Sequence, residues 1–291
     1  MIRDVRVTGL GVVAASGTGV AALAAALAGR VAPRAPLPFP AAGFPHQQGG
    51  VGPARSELLG LLTRRKDLKL MTPDALLALA AGVLAWRDAG LAEGSLPDEE
   101  VGLFLGVGAE KGEIPDLAPA VALSTTDGEL DLELLTSRGL DRINPLGALK
   151  TLPNMALAHL AIRLQVRGPC GTFCGSPDAG EQAIAEAHAA VARGECQAAL
   201  AGGSDCLVSM AGYVQAWRGG DLPATVDPGE AAAILLLEPA AAVRARGGRP
   251  YASPPVPVSR DLLEGTVGRC GVASGPLALA VGHFLAGRQD P

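Results

Sequence analysis

The stretch GPCGTFCGSPDAGEQAIAEAHAAVARG, Gly168 to Gly194, brings two thiols and a hydroxyl to the approach of a helix. Ser176 is placed to cap that helix, Pro177 to open it, and Asp178 and Glu181 to complete the first turn as a capping box. Ile184, Ala187 and Val191 repeat at helical spacing and mark the core face. A side chain at such a tip meets the positive end of the helix dipole. A thiolate is stabilised there, and nearby amides can hold an oxyanion. The stretch therefore suggests nucleophilic chemistry, yet the residue at the tip is a proline. Cys174, just upstream in a glycine-rich turn, is the fallback nucleophile, with Cys170 behind it. No general base or orienting partner for either is visible, and small thiols commonly serve only as packing.

The totals bound what this stretch can belong to. The 291 residues suffice for one large domain or two modest ones, and 48% hydrophobic against 18% charged residues describes a globular chain. Aromatics are only 3%, so Ala, Leu and Val carry the apolar content, which suits closely packed helices and buried strands. A net charge of −5 argues against nucleic acid as a partner. The basic run RRKDLK, Arg64 to Lys69, reads first as a solvated helix face and second as a dock for an acidic carrier. Five cysteines without disulfide-like spacing fit a reducing cytoplasm. His46, His159, His188 and His283 are scattered, and no metal site is readable. VAALAAALAG, Val20 to Gly29, imitates a signal-peptide core, but it follows Asp4 and a strand and reads as a helix. No apolar run is long enough to span a membrane.

These residues need elements to position them. VRVTGLGVVAASG reads as a strand that breaks at its glycines. Gly9, Gly11 and Ala14 match the dinucleotide fingerprint, but a Pro/Gly-rich loop follows where a second strand ending in an acid is required, so no cofactor is expected. Thr72 to Asp88 reads as a helix with Thr72 as N-cap, Pro73 first and Asp74 on the dipole, ended by Gly90. VGLFLGVGAEKGE reads as a strand running into a glycine turn, Ile114 to Pro145 as a loop plus one helix, and Pro153 to Leu164 as a helix. CQAALAGGSDCLV reads as a short strand ending at Gly202 and Gly203, and Ala231 to Leu237 as a long apolar strand. Alternating buried strands and helices predict an α/β fold with the strands covered on both faces.

Taken together, the motifs resemble the β-ketoacyl synthase family, of thiolase fold. VRVTGLGVVAASG is similar to its opening strand, LKLMTPDALLALAAGVLAWRDAGL to its helix ending in Asp-Ala-Gly-Leu, and VGLFLGVG to its second strand. LPNMALAHLAIRLQVRGP resembles the helix and Gly-Pro before the active site. EQAIAEAHAAVARGECQAALAGGSD resembles the helix and strand after it, and GEAAAILLLEPAAAVRARGGRPYA the close of the N-terminal half. The resemblance covers most of Met1 to Ala252. It implies an α/β, thiolase-like α-β-α-β-α layering with a strongly truncated C-terminal half. Residues 1–257 form the ketosynthase-like domain, and 258–291 a remnant packing on it. The stub Leu262 to Phe284, apolar along most of its length, is expected to cover the face that the missing half leaves.

In that family a cysteine is the nucleophile. Counting to its place forward from Gly168 or back from Ile184 lands on Pro177 both times. Proline lacks the thiol and also the N–H that serves the family as one oxyanion donor. Loss of one such donor alone costs about 3 kcal/mol of transition-state stabilisation. The family's Lys-x-x-x-Gly-His motif meets EGTVGR here, so Glu264 stands for the lysine and Arg269 for the histidine; only Gly268 remains. The His-Gly-Thr histidine has no place between Ala252 and Glu264, and His283 falls after the last helix. The resemblance thus implies no catalytic residues. It implies a non-catalytic subunit of chain-length-factor type, partner of a full β-ketoacyl-ACP synthase in polyketide, aryl-polyene or fatty-acid-type biosynthesis. The assembly would be a heterodimer or heterotetramer, with acyl carrier protein as a further partner. Two alternatives stand beside it: a thioester enzyme using Cys174, and a homodimer that binds an acyl chain or a carrier protein.

Overall fold

A computed structural model describes residues 2–29, 32–62, 64–108 and 114–289. The chain opens with β1 (Val5–Ala14), β2 (Gly17–Thr18) and α1 (Val20–Leu27). A proline-rich strap carrying β3 (Ala35–Pro36) and β4 (Gln48–Gly49) leads to α2 (Pro73–Asp88) and β5 (Val101–Val107). An excursion follows: α3 (Ile114–Leu123), the hairpin β6 (Thr125–Thr126) and β7 (Glu129–Leu130), then α4 (Leu132–Leu134) and α5 (Gly147–Lys150). Next come α6 (Met155–Leu164), β8 (Cys170–Phe173), α7 (Ala179–Arg193) and β9 (Ala198–Cys206). The chain closes with α8 (Met210–Gly219), β10 (Glu230–Pro239), α9 (Ala240–Ala245), α10 (Arg260–Val267) and α11 (Ser274–Ala286).

One six-stranded sheet, ordered β2-β1-β10-β9-β5-β8, organises these elements. The β1/β10 and β10/β9 ladders are antiparallel, and β9/β5 and β5/β8 are parallel. Helices cover both faces, as the buried strands require. On one face α2 and α6 bury Leu79, Val83 and Leu160 against Leu103, Leu105, Leu200 and Ile234. On the other, α1 and α11 bury Leu23, Leu277 and Val281 with Leu10, Val12 and Leu235. Helix α7 adds Ala183, Ala187 and Val191 beside Phe104 and Ala201.

The strands run through their glycines instead of stopping at them. β1 is continuous across Gly9 and Gly11. A Cβ on Gly11 would lie 1.8 Å from the Ala81 carbonyl oxygen, and one on Gly9 2.0 Å from that of Ala85. These glycines let α2 lie directly on the sheet; they do not form a phosphate-binding turn. Gly11→Ala should cost about 1–3 kcal/mol or more by overpacking, read as a lower denaturation midpoint. β9 likewise continues through Gly202 and Gly203 to Cys206. A Cβ on Gly203 would meet the Val272 carbonyl at 2.5 Å, so the C-terminal segment presses on this strand.

One further expectation changes. The Ile114–Pro145 region is not a loop with one helix, because its short polar runs fold into a helix, a hairpin and several single turns. The glycine turn expected after Val107 falls on residues 109–113, outside those described. The last segment is tied down at both ends. The Arg269 N–H donates to the Asp227 carbonyl at 2.8 Å, and its own carbonyl accepts from Gly229 N at 2.8 Å. The Arg288 guanidinium lies 4.2 Å from the Tyr251 ring centroid, pairs with Asp88 at 2.9 Å and donates to the carbonyl oxygens of Thr8 and Asp88.

Candidate functional site

The parallel strands β5 and β9 end beside the turn that enters α7, and α10 and the loop after it close the space from the other side. They enclose a cavity of about 160 Å³. Pro177 and the distant pair Glu264 and Arg269 all line it, with Asp205 at the end of β9, Gln215 on α8 and Arg260 on α10. The three positions singled out from the sequence are thus brought to one place.

The entry to α7 differs in detail from the expected cap. The helix begins at Ala179, with Asp178 as N-cap and no side-chain cap bond. Ser176 Oγ instead accepts from Asp178 N at 3.3 Å, and Ala179 N donates to the Ser176 carbonyl at 3.1 Å. Pro177 lies inside this turn, before the helix, and Gly175 (φ 82°) reverses the chain ahead of it. Pro177 offers the cavity a hydrocarbon ring and no donor. The positive end of α7 is already matched by carboxylates. Arg260 pairs with Glu181 in the first turn and lies 3.8 Å from Asp178.

The other two positions answer each other. Arg269 Nη1 lies 3.4 Å from Glu264 Oε2, and Ser274 Oγ lies 3.5 Å from Glu264 Oε1. The Glu264 side chain is largely buried and that of Arg269 about a third exposed. An ion pair therefore stands where the family motif has a lysine and a histidine. Asp205 Oδ1 accepts from Cys206 N at 2.9 Å and Oδ2 from Val272 N at 3.3 Å, which fixes its carboxylate.

The remaining reactive groups lie elsewhere. Cys174 and Cys170 are exposed, and neither lines the cavity. Partial desolvation pushes the Cys170 thiol above its ordinary value, which disfavours the thiolate. Cys196, Cys206 and Cys270 are buried. Burial, then the charge of Asp205, raises the Cys270 thiol too. None of the four histidines lines the cavity. His46 bonds the Tyr213 hydroxyl at 2.9 Å, His159 reaches the Leu70 carbonyl at 3.3 Å, and His283 holds the Ala252 carbonyl at 2.9 Å. Among the described residues no group of His, Cys, Asp and Glu could hold a metal, and no helix is long and apolar enough to cross a membrane. Sequence reading missed Asp205, Gln215, Asp221 and Arg260. Only Asp205, following a buried glycine pair at a strand end, left a trace in the sequence.

The chain is similar in sequence and fold to known proteins. Residues 3–240 match the family model of the beta-ketoacyl synthase N-terminal domain. The chain is 28% identical over 206 residues to 3-oxoacyl-[acyl-carrier-protein] synthase 2 of Rhizobium meliloti (strain 1021), a match covering 64% of this chain and 46% of that protein. It is 28% identical over 218 residues to Nodulation protein E of Rhizobium leguminosarum bv. trifolii, covering 75% and 50%. The chain thus spans about half the length of the curated relatives it matches. Among solved structures, the ishigamide ketosynthase/chain length factor superposes with a TM-score of 0.69 at 25% identity, covering 97% of this chain and 70% of that one. A type II PKS acyl-carrier protein in complex with its ketosynthase (AntDE:AntF) includes a chain that superposes at 0.71, with 16% identity and coverage of 98% and 92%. With the family model matched over residues 3–240, the chain belongs to the β-ketoacyl synthase family.

Proposed function

We propose that this chain is a non-catalytic ketosynthase-like subunit, of chain-length-factor type, that pairs with a catalytic β-ketoacyl-ACP synthase. One observation carries the reading. The cavity at the family's active-site position holds Pro177 in place of a nucleophile, and Glu264 and Arg269 paired with each other where proton-transfer groups are needed. Under this reading residues 1–257 are the ketosynthase-like unit, and 258–291 are a segment that packs on it. The similarity to the ishigamide ketosynthase/chain length factor favours this subunit type. The reading places the subunit in the cytoplasm, which suits five unpaired cysteines.

The surface supports a partner. β8 is the last strand of the sheet and its outer edge has no ladder among the described residues. An unpaired edge is a template for another chain. The excursion between β5 and β8 exposes Leu117, Val121, Leu132, Leu140 and Leu146, each about half or more. A set of this kind on one excursion marks an interaction surface.

Co-expression with the catalytic synthase of its own pathway tests the assembly. A stable complex on size exclusion is expected, and Leu132→Asp should weaken it. No complex, and no change in product length when this chain is deleted, would overturn the proposal; a homodimer alone would favour a self-associating acyl- or carrier-binding protein. An acidic carrier should use the exposed cations of Arg64–Lys69. Arg65→Glu with Lys66→Glu should weaken carrier binding about tenfold at low salt and less at high salt, because exposed charges are screened.

A further inference from the structure

A second cleft of about 240 Å³ lies behind the first cavity and shares a wall with it. The chain alternates along residues 205–209. Asp205 and Leu207 line the first cavity, whereas Cys206, Val208 and Ser209 line the second. The other walls of the second cleft are mainly apolar: Pro38, Val51, Pro53, Leu58, Leu76 and Leu77. We propose that this cleft is a binding site for a small uncharged molecule that joins an aliphatic or aromatic body to a hydroxyl group.

Size and stiffness support a ligand. A dry apolar cavity of about 150 Å³ already binds benzene, so this space holds a body of that size with a polar group added. Pro38, Pro53 and Pro73 fix φ around the rim, so the walls resist collapse into the space.

Chemistry selects the head group. Glu230 is a carboxylate on the wall of the cleft, beside Cys206 and Ser209. Its Oε1 accepts from Gly52 N at 2.8 Å and its Oε2 from Cys206 Sγ at 3.0 Å. A carboxylate has about four acceptor sites, so these two bonds leave room for a ligand hydroxyl. Cys206 remains a thiol donor, because burial and then the Glu230 charge raise it well above its ordinary value. A carboxylate head, as on a free fatty acid, would meet Glu230 in an apolar surround and be disfavoured. Arg55 lines the exposed side of the cleft, where solvent screens its charge. The proposal is independent of whether the chain catalyses anything.

The test titrates the full chain with 1-hexanol and separately with hexanoate, following the methyl resonances of Leu58, Leu76, Leu77 and Val208. Saturable shifts with 1-hexanol are expected, with hexanoate at least about tenfold weaker, a difference of one decade in Kd. Glu230→Gln should narrow that gap, and Val208→Phe should abolish hexanol binding by filling the cleft. If Val208→Phe fails to fold, Ala54→Trp on the exposed rim serves as the blocking variant. No saturable shift with 1-hexanol, binding that survives the blocking variant, or tighter binding of hexanoate would each overturn the proposal.

Discussion

Incubated with an acyl thioester, the purified chain should gain no acyl adduct in its intact mass. The position at the entry of α7 is Pro177, which has neither a thiol to attack with nor an N–H to hold the developing oxyanion. The positive end of α7 is matched by its own carboxylates, which pair with Arg260, so the helix dipole itself offers developing negative charge little. Glu264 and Arg269 hold each other at 3.4 Å, where the family motif has a lysine and a histidine. Restoring the nucleophile alone should therefore not restore chemistry. Pro177→Cys should stay about a hundredfold or more below a catalytic synthase, because the electrostatic part of the site is reversed.

The cysteine controls make this expectation decisive. A thiol-alkylating probe should label Cys170 and Cys174, which are exposed, and spare the buried Cys196, Cys206 and Cys270. Cys170 should react more slowly than a free thiol, since desolvation keeps it protonated. Alkylation without acylation fits a dead site. An acyl adduct that disappears only in Cys174→Ala would instead show that the nucleophile has moved along the turn, and the chain would have to be treated as an enzyme. The same loss in Cys170→Ala alone would assign that role to the strand β8 thiol.

Deleting everything after Arg260 should produce a chain that aggregates. Leu277, Ala280 and Val281 of α11 are fully buried with Leu10, Val12, Leu23 and Leu235 of the sheet and α1. Their removal uncovers a contiguous apolar face larger than a soluble monomer ordinarily exposes. The clamp at the chain end would be lost as well: Arg288 bridges Asp88 and Tyr251, and Asp88 Oδ2 itself accepts from Leu10 N and the Tyr251 hydroxyl at 2.8 Å each. A point variant isolates the packing part. Leu277→Ala should cost about 2–5 kcal/mol. In a total of about 5–15 kcal/mol that is a visible loss, on the order of 5–15 °C in melting temperature for a chain of this size. A truncated chain that stays soluble and melts sharply would contradict this account of α10 and α11.

The sequence by itself determined most of the main strands and helices and the frame in which the candidate site positions are counted. Thr72-Pro73-Asp74 marks the start of α2 whatever packs on it, since N-terminal helix signals are local. Gly168-Pro169, Ile184 and the Ala-rich run to Arg193 fix the frame in which Pro177, Glu264 and Arg269 can be located by counting. Local chemistry also decided what those residues cannot do, because a proline lacks its N–H in every fold. Tertiary structure decided the rest. Gly9, Gly11, Gly202 and Gly203 look like strand breaks along the chain, and only the approach of α2 and of Val272 shows them to be points of close packing inside strands. That Pro177 shares a cavity with Glu264 and Arg269, that Arg260 reaches the start of α7, and that Cys174 stays outside the cavity depend on how separate segments meet. The alternation of Asp205 and Cys206 between two cavities is a property of a strand end with space on both sides. No linear pattern encodes it, because the lining of each cavity comes from elements far apart in the chain.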